Sequence, residues 1–146
     1  MEGIIAIIAF LIGWLLAQLG KFLSVIIRKK EKLKFKDLVA AFTKSGGMPS
    51  GHTASFVALD AYLACALGIN SPIFALALCT TIIFIYDAVN VRYAVGEQGK
   101  LINSIVRTED KKGRTLRVVE GHTVPQVIVG ALIGVAVGLI CFAVFK

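Results

Sequence analysis

The chain has 146 residues, of which 57% are hydrophobic, and its formal net charge is +7. Soluble domains are about 45–50% apolar, so this composition indicates a protein that lies in the lipid bilayer, and the length allows one domain over 1–146. Of the 16 Lys and Arg residues, seven lie in 28–51 and seven in 91–123. Basic residues concentrated in alternate loops are typical of membrane topology and argue against nucleic-acid binding.

Four apolar segments predict an all-α integral membrane bundle of about four transmembrane helices, at 3–27, 53–69, 72–90 and 124–145. A helix needs roughly 20 apolar residues to cross the hydrocarbon. The first segment is interpreted as a retained span, because it lacks a basic n-region and exceeds a signal peptide's apolar length. The two shorter middle segments flank "GINSP", a turn sequence containing Gly68, Asn70 and Pro72, and so predict a helical hairpin.

Two basic loops, 28–52 and 91–123, are separated by two predicted helices and therefore share one membrane side. Their charge places that side in the cytoplasm, and we expect a bacterial cytoplasmic membrane. His52 and His122, the chain's only histidines, then lie at the same face. Three cysteines fall inside apolar runs without metal-type spacing and are interpreted as buried small hydrophobic residues, so no metal site or cofactor is predicted.

The segment "GGMPSGHT" precedes the second predicted helix. The N–H groups and dipole at a helix N-terminus favour an anion such as phosphate. Ser50, Gly51 and the preceding Lys44 are therefore candidate phosphate-binding residues, and His52 is a candidate proton donor. The alternative is a capped turn at the membrane surface.

His122 lies in "EGHTVPQV", which also combines a glycine with a proline-containing helix start. A histidine pair at one face could supply a nucleophile and a general acid, or metal ligands. The metal interpretation is weaker, since no carboxylate or cysteine stands at ligand spacing. Taken separately, each histidine is also compatible with a solitary surface residue.

Charged residues near the same face are further candidates. Lys21 lies near the inner end of the first helix, where it could extend toward the site or act as an interfacial anchor. Arg92 has the geometry for binding phosphate oxygens, and Asp87 could orient it or a histidine, or the two could form a structural ion pair. An ionisable residue such as Asp60 needs a polar partner at its depth in the membrane, and one hypothesis is that it contacts Lys21.

The last helix carries glycines at intervals of four, at Gly130, Gly134 and Gly138. Such a strip lets another helix approach closely. It predicts either packing within the monomer or a homodimer interface.

Four ordered motifs along nearly the whole chain resemble the divergent branch of the phosphatidic-acid-phosphatase type 2 superfamily, which includes lipid phosphatases and vanadium haloperoxidases. They are Ala17–Gln18 with Lys21, Gly46 to His52, Asp87–Ala88 with Val91–Arg92 and Gly96, and Gly121 to Thr123 with Val127 and Gly130. The resemblance implies metal-independent phosphomonoester hydrolysis, with His122 as nucleophile forming a phosphohistidine and His52 as general acid. Lys21, Arg92 and the Ser50–Gly51 backbone would hold the phosphoryl oxygens. Such chemistry needs His122 neutral and His52 protonated.

Two positions depart from the superfamily pattern. Leu116 stands where an arginine is expected, so Arg92 is the favoured substitute and Arg117 the second choice. Gln126 stands where an aspartate orients the nucleophile, and a glutamine can fix the imidazole tautomer but cannot balance its positive charge. Asp87 or Glu120 would then supply that charge, or catalysis is weak or absent.

The leading prediction is a cytoplasm-facing lipid phosphatase acting on an anionic membrane lipid. Phosphatidylglycerophosphate ranks first because it is made on the inner face, with phosphatidate or a prenyl phosphate next. The alternative is a catalytically weak or inactive membrane protein that binds phospholipid headgroups or a partner protein.

Overall fold

The fold is described from a computed structural model, which covers residues 1–28, 47–109, 118 and 121–145. These residues form five α-helices and one π-helix, Asp87–Val91, which joins the third helix to the fourth. The α-helices are α1 (Glu2–Arg28), α2 (Gly51–Leu67), α3 (Pro72–Tyr86), α4 (Arg92–Glu109) and α5 (Val124–Phe145). No strand occurs in this part of the chain, and the predicted all-α membrane bundle is confirmed.

Three stretches of helix are long and apolar enough to cross a membrane: Glu2–Ile27, Pro72–Val106 and Val124–Phe145. The fourth predicted span corresponds to α2, which has 17 residues. That is shorter than the roughly 20 residues that a crossing helix typically has. Helices stand at all four predicted positions among the described residues, and α2, with 17 residues, lies at the short end of the range of about 17–25 residues for a crossing helix.

The helix predicted to end at residue 90 continues through the π-helix into α4 and ends at Glu109. The first part of the predicted loop 91–123 is therefore helical, which corrects the expected boundary. Val95, Ile102 and Ile105 recur at helical spacing in α4, and no proline interrupts it. The π-helix changes the hydrogen-bond register without breaking the chain's helical path.

Helix α2 lies at the centre of the bundle, between the glycine strip of α5 on one side and Gly13 of α1 on the other. A Cβ added to Gly130, Gly134 or Gly138 would lie 2.6–2.7 Å from a backbone oxygen of α2 or of its N-cap residue. The strip is thus covered by α2 of the same chain, which agrees with packing inside the monomer. A second chain could use the strip only by displacing α2, and the homodimer stays a prediction.

Helices α1 and α2 run antiparallel, since the hydroxyl of Tyr62, near the end of α2, donates to the carboxylate of Glu2. The predicted turn between α2 and α3 is present, with Gly68 at φ 81° and Ser71 capping α3 ahead of Pro72. Because of this arrangement, the segment before α2 and the segment before α5 meet at one end of the bundle. Of the cysteines, only Cys141 is buried, whereas Cys65 and Cys79 are exposed on helices that were expected to bury them.

Candidate active site

Helix α2 begins with an N-cap at Ser50. The Ser50 hydroxyl accepts hydrogen bonds from the backbone N–H and the hydroxyl of Thr53, at 3.4 and 2.9 Å. The Ser50 N–H donates to the carbonyl of Gln126 at 3.0 Å. Ser50 is fully buried, so its contacts support the capping interpretation. Because that N–H is already bonded, it is not free for phosphate in this structure, and the role of Ser50 as a phosphate ligand stays a prediction.

The next two amides remain available for an anion. Gly51 and His52 stand in the first turn of α2, and within the described part of the structure their N–H groups make no hydrogen bond. Lys21 lies beside them, since a Cβ placed on Gly51 would lie 3.9 Å from the Lys21 Nζ atom. An ammonium group next to two free amides at a helix N-terminus is a geometry that binds an anion.

The π-helix anchors the second histidine. At its end, the Arg92 N–H donates a hydrogen bond to the carbonyl of Asp87, five residues earlier, rather than to that of Ala88. The Ala88 carbonyl instead accepts the backbone N–H of His122 at 3.0 Å. A regular α-helix would use this carbonyl internally, so the π-helix is what fixes the histidine segment against α3.

Gly121 is required by this close approach. A Cβ on Gly121 would lie 2.3 Å from the Tyr93 backbone nitrogen and 2.8 Å from the Ala88 carbonyl oxygen. Any other residue would push the segment away from the π-helix. The glycine before His122 is therefore needed for packing, whereas the sequence indicated only that it belongs to a turn.

Gln126 fixes the tautomer of His122. The Gln126 Oε1 atom accepts the Thr123 N–H at 3.1 Å and lies 3.2 Å from the His122 Nδ1 atom. Because the backbone N–H can only donate, the side-chain atom that it contacts is the oxygen, and Nδ1 of a neutral ring must carry the proton. Nε2 is then unprotonated. The contact of Gln126 with the Thr123 N–H is also one half of a capping box at the start of α5.

The two imidazole rings face each other across the site. Their centroids are 6.4 Å apart and their planes are inclined by 64°. His122 is buried, with 5% of its surface exposed, whereas His52 is exposed. The structure thus brings together the two histidines that the sequence predicted at one face.

Both imidazoles have lowered pKa values. Burial lowers the pKa of His122, the Gln126 hydrogen bond opposes this, and the positive charges of Lys21, His52 and Arg92 lower it further. Partial desolvation, followed by the charges of Arg92 and Lys21, lowers the pKa of His52, while Asp87 raises it. A neutral His122 agrees with the expectation. A protonated His52 does not, since the cations around it disfavour a further charge when no anion is bound.

Arg92 and Asp87 form an ion pair at the rim of this cluster, with Nε and Oδ2 2.5 Å apart. In a regular α-helix, residues five apart point about 140° away from each other. The π-helix between them therefore brings the two side chains to one face. The observed contact joins Asp87 to Arg92, as expected both for an orienting role and for a structural ion pair.

Comparison with known proteins identifies the family. The model of the Divergent PAP2 family matches residues 4–137, which is most of the chain. The chain belongs to the Divergent PAP2 family. It is also 32% identical over 113 residues to the uncharacterized membrane protein YuiD of Bacillus subtilis (strain 168), covering 67% of this chain and 72% of that protein. No solved structure matches the chain. The resemblance predicted from the four motifs is thus confirmed, and the protein is a membrane protein.

Some residues that the sequence linked to the divergent PAP2 site are not part of the observed cluster. Lys44, Leu116, Arg117 and Glu120 lie outside the described residues. Asp60 does not contact Lys21, because it is nine residues, about 13 Å, along α2 from the helix end that Lys21 approaches. Its carboxyl lies instead against Thr81 of α3, and one oxygen has no partner. Among the described residues, no group of three or more His, Cys, Asp or Glu could hold a metal ion.

Gln18 lies on the face of α1 that approaches the candidate site, although the sequence did not predict it as a ligand. Trp14 and Lys21 both approach Gly51, and Gln18 lies between them on the same face of α1. Its side chain is buried, and its Oε1 atom has no hydrogen-bond partner. Helical spacing from Lys21 was the sequence signal that could have identified it.

Proposed function

We propose that this protein is a membrane phosphatase that hydrolyses the phosphomonoester of an anionic lipid through a phosphohistidine on His122. The observation that carries the proposal is the arrangement at His122. Gln126 accepts a hydrogen bond from the Nδ1–H, which leaves Nε2 with a free electron pair. The ring centroid of His52 lies 6.4 Å from that of His122. An unprotonated, oriented imidazole facing a second histidine fits nucleophilic catalysis with a separate proton donor.

The reaction proceeds in two steps. The His122 Nε2 atom attacks phosphorus, an N–P bond forms, and the P–O bond to the lipid breaks as His52 donates a proton to the leaving oxygen. Water then attacks phosphorus as His52 takes its proton, the N–P bond breaks, and inorganic phosphate leaves with His122 neutral again. Lys21, Arg92 and the amides of Gly51 and His52 stabilise the negative charge on the phosphoryl oxygens in both steps.

Substrate binding supplies the missing protonation of His52. An anionic phosphate placed beside the imidazole raises its pKa, because an opposite charge at short range favours the charged form. A phosphomonoester has a second pKa of about 6 and can carry the required proton into the site. Only the bound state then needs the two histidines in opposite protonation states.

We infer the sidedness and substrate from the charge pattern. The site faces the cytoplasm of a bacterial membrane, where basic loops attract anionic headgroups. Phosphatidylglycerophosphate is the first substrate to test, followed by phosphatidate and a prenyl phosphate.

The test is phosphate release from these lipids by protein reconstituted in liposomes, with chelator present and no added metal. His122→Asn and His52→Asn are expected to lower the rate at least a hundredfold, which is the lower range for loss of a nucleophile or general acid. Lys21→Met is compared with Lys100→Met, a lysine that pairs with Glu97 on the surface of α4. Full activity in His122→Asn would refute the nucleophile, and equal effects of the two lysine variants would refute Lys21 as a phosphate ligand.

A second candidate is a protein that binds phospholipid headgroups without turnover. The observation that favours it is Gln126, since its amide cannot balance the positive charge of a phosphohistidine. Under this alternative, lipid phosphates bind to the reconstituted protein, but neither phosphate release nor labelled histidine is detected.

A further inference from the structure

An apolar groove of about 370 Å³ lies between α3 with the π-helix on one side and the start of α5 on the other. Its walls include Ile82, Tyr86, Val89 and Asn90 on the first side, and Val124 and Val127 on the second. Among the described elements, α3 and α5 each pack mainly on α2, which leaves the space between them open. Its size falls within the range of about 300–1,000 Å³ that is typical of ligand sites.

The groove is continuous with the candidate active site. Val89 and Asn90 directly follow Ala88, whose carbonyl holds the His122 N–H. Val124 and Val127 lie on either side of Gln126 in sequence, and Gln126 orients the His122 ring. The same backbone therefore builds the inner end of the groove and the support of the nucleophile.

Depth in the membrane determines what can occupy the groove. Its walls belong to the spans Pro72–Val106 and Val124–Phe145. The adjoining site presents positive charge from Lys21 and Arg92, together with the free amides of α2. A molecule that satisfies both regions has a negative headgroup at one end and a hydrocarbon chain at the other.

We propose that the groove holds the upper part of one hydrocarbon chain of the lipid phosphate bound at His122. This rests on the proposed function of that site. Because hydrocarbon is equally apolar in the bilayer and in the groove, the contact adds little affinity. Its effect is to orient the lipid so that phosphorus faces the imidazole, and it therefore acts on turnover of lipids in particular.

The first test fills the groove. Ile82 is 59% exposed and tolerates a larger side chain, so Ile82→Trp occupies the space without overpacking the core. Leu76→Trp is the matched control, since Leu76 is exposed on α3 and does not line the groove. The ratio of phosphatidate to glycerol 3-phosphate hydrolysis is expected to fall tenfold or more in Ile82→Trp and to stay unchanged in Leu76→Trp. Equal ratios in the two variants would overturn the proposal.

The second test does not depend on turnover. A phosphatidate analogue with a diazirine near the top of one acyl chain is photolysed with the His122→Asn protein in nanodiscs, and labelled peptides are mapped by mass spectrometry. Label on 82–90 and 124–127 that excess phosphatidate suppresses supports the groove. Label spread evenly over the lipid-facing helices contradicts it. Phosphate release is measured separately on the protein with His122 intact. Groove labelling with no release by that protein would refute the proposed function alone, and release with labelling elsewhere would refute the groove alone.

Discussion

Replacing Gln126 with glutamate is expected to raise the pKa of His122. The substitution keeps an oxygen where Oε1 now accepts from Thr123 at 3.1 Å and lies 3.2 Å from the His122 Nδ1 atom. It adds a negative charge at a position that is partly shielded from water. The protonated imidazole gains from that charge, whereas the neutral ring does not.

The size of the effect follows from this contact. Hydrogen bonds to charged groups contribute about 1.5–3 kcal/mol, against about 0.5–1.5 kcal/mol for neutral ones. The difference of roughly 1 kcal/mol or more corresponds to an upward shift of about one pH unit, and direct attraction can extend it to about three. The pH optimum of hydrolysis should therefore move upward, since the attacking ring must be neutral. Above the new optimum the rate should exceed that of the unchanged protein, because the carboxylate balances the phosphohistidine charge.

Histidine NMR gives a direct measurement, because the chain has only two histidines. In a His52→Asn background, isotope-labelled histidine reports His122 alone, and its titration midpoint is compared with and without Gln126→Glu. Gln98→Glu, at an exposed glutamine of α4, is the matched control. An unchanged midpoint in Gln126→Glu, or an equal shift in Gln98→Glu, would refute the contact on which the tautomer argument depends.

Three further predictions concern the bundle and the rim of the site. Gly134→Val should destabilise the protein by about 1–3 kcal/mol in detergent unfolding, because the added atoms meet the backbone of α2. Ala136→Val, on the exposed face of α5, should have little effect. Equal stability of the two variants would contradict the packing. Gly121→Ala should weaken binding of inorganic vanadate at least tenfold while the helical circular dichroism is retained, and unchanged affinity would contradict the close approach to the π-helix. Asp87→Asn should lower the NMR midpoint of His52, since Asp87 raises its pKa; an upward movement would show that Asp87 does not act on it.

The sequence predicted which residues come together at the site better than the helix contacts that hold them there. The helix start at His52 and the second histidine were both recognised, since glycine, proline and polar residues before an apolar run mark a helix N-terminus. The glycine strip predicted a close helix approach, but spacing alone could not distinguish α2 from a second chain. The π-helix left no sequence signal, because its residues are ordinary helix residues and its register is set by the contact with His122.

Ser50 illustrates the same limit at the level of one residue. Its position before a helix is compatible with both capping and phosphate binding, and only the tertiary structure shows that its N–H is bonded to the carbonyl of Gln126, 76 positions later in the chain. The orphaned oxygen of Gln18 also depends on tertiary packing, since burial and missing partners cannot be derived from one helix alone. Local chemistry was therefore predictable, and long-range hydrogen bonding was not.

The most direct test of the account is rapid-quench mass spectrometry of the reconstituted protein during turnover of a lipid phosphate, under alkaline conditions that preserve phosphohistidine. Transient phosphorylation of His122 is expected to form no more slowly than phosphate is released, with none in His122→Asn. Phosphate release without a phosphorylated His122, or phosphorylation of His52 instead, would contradict it.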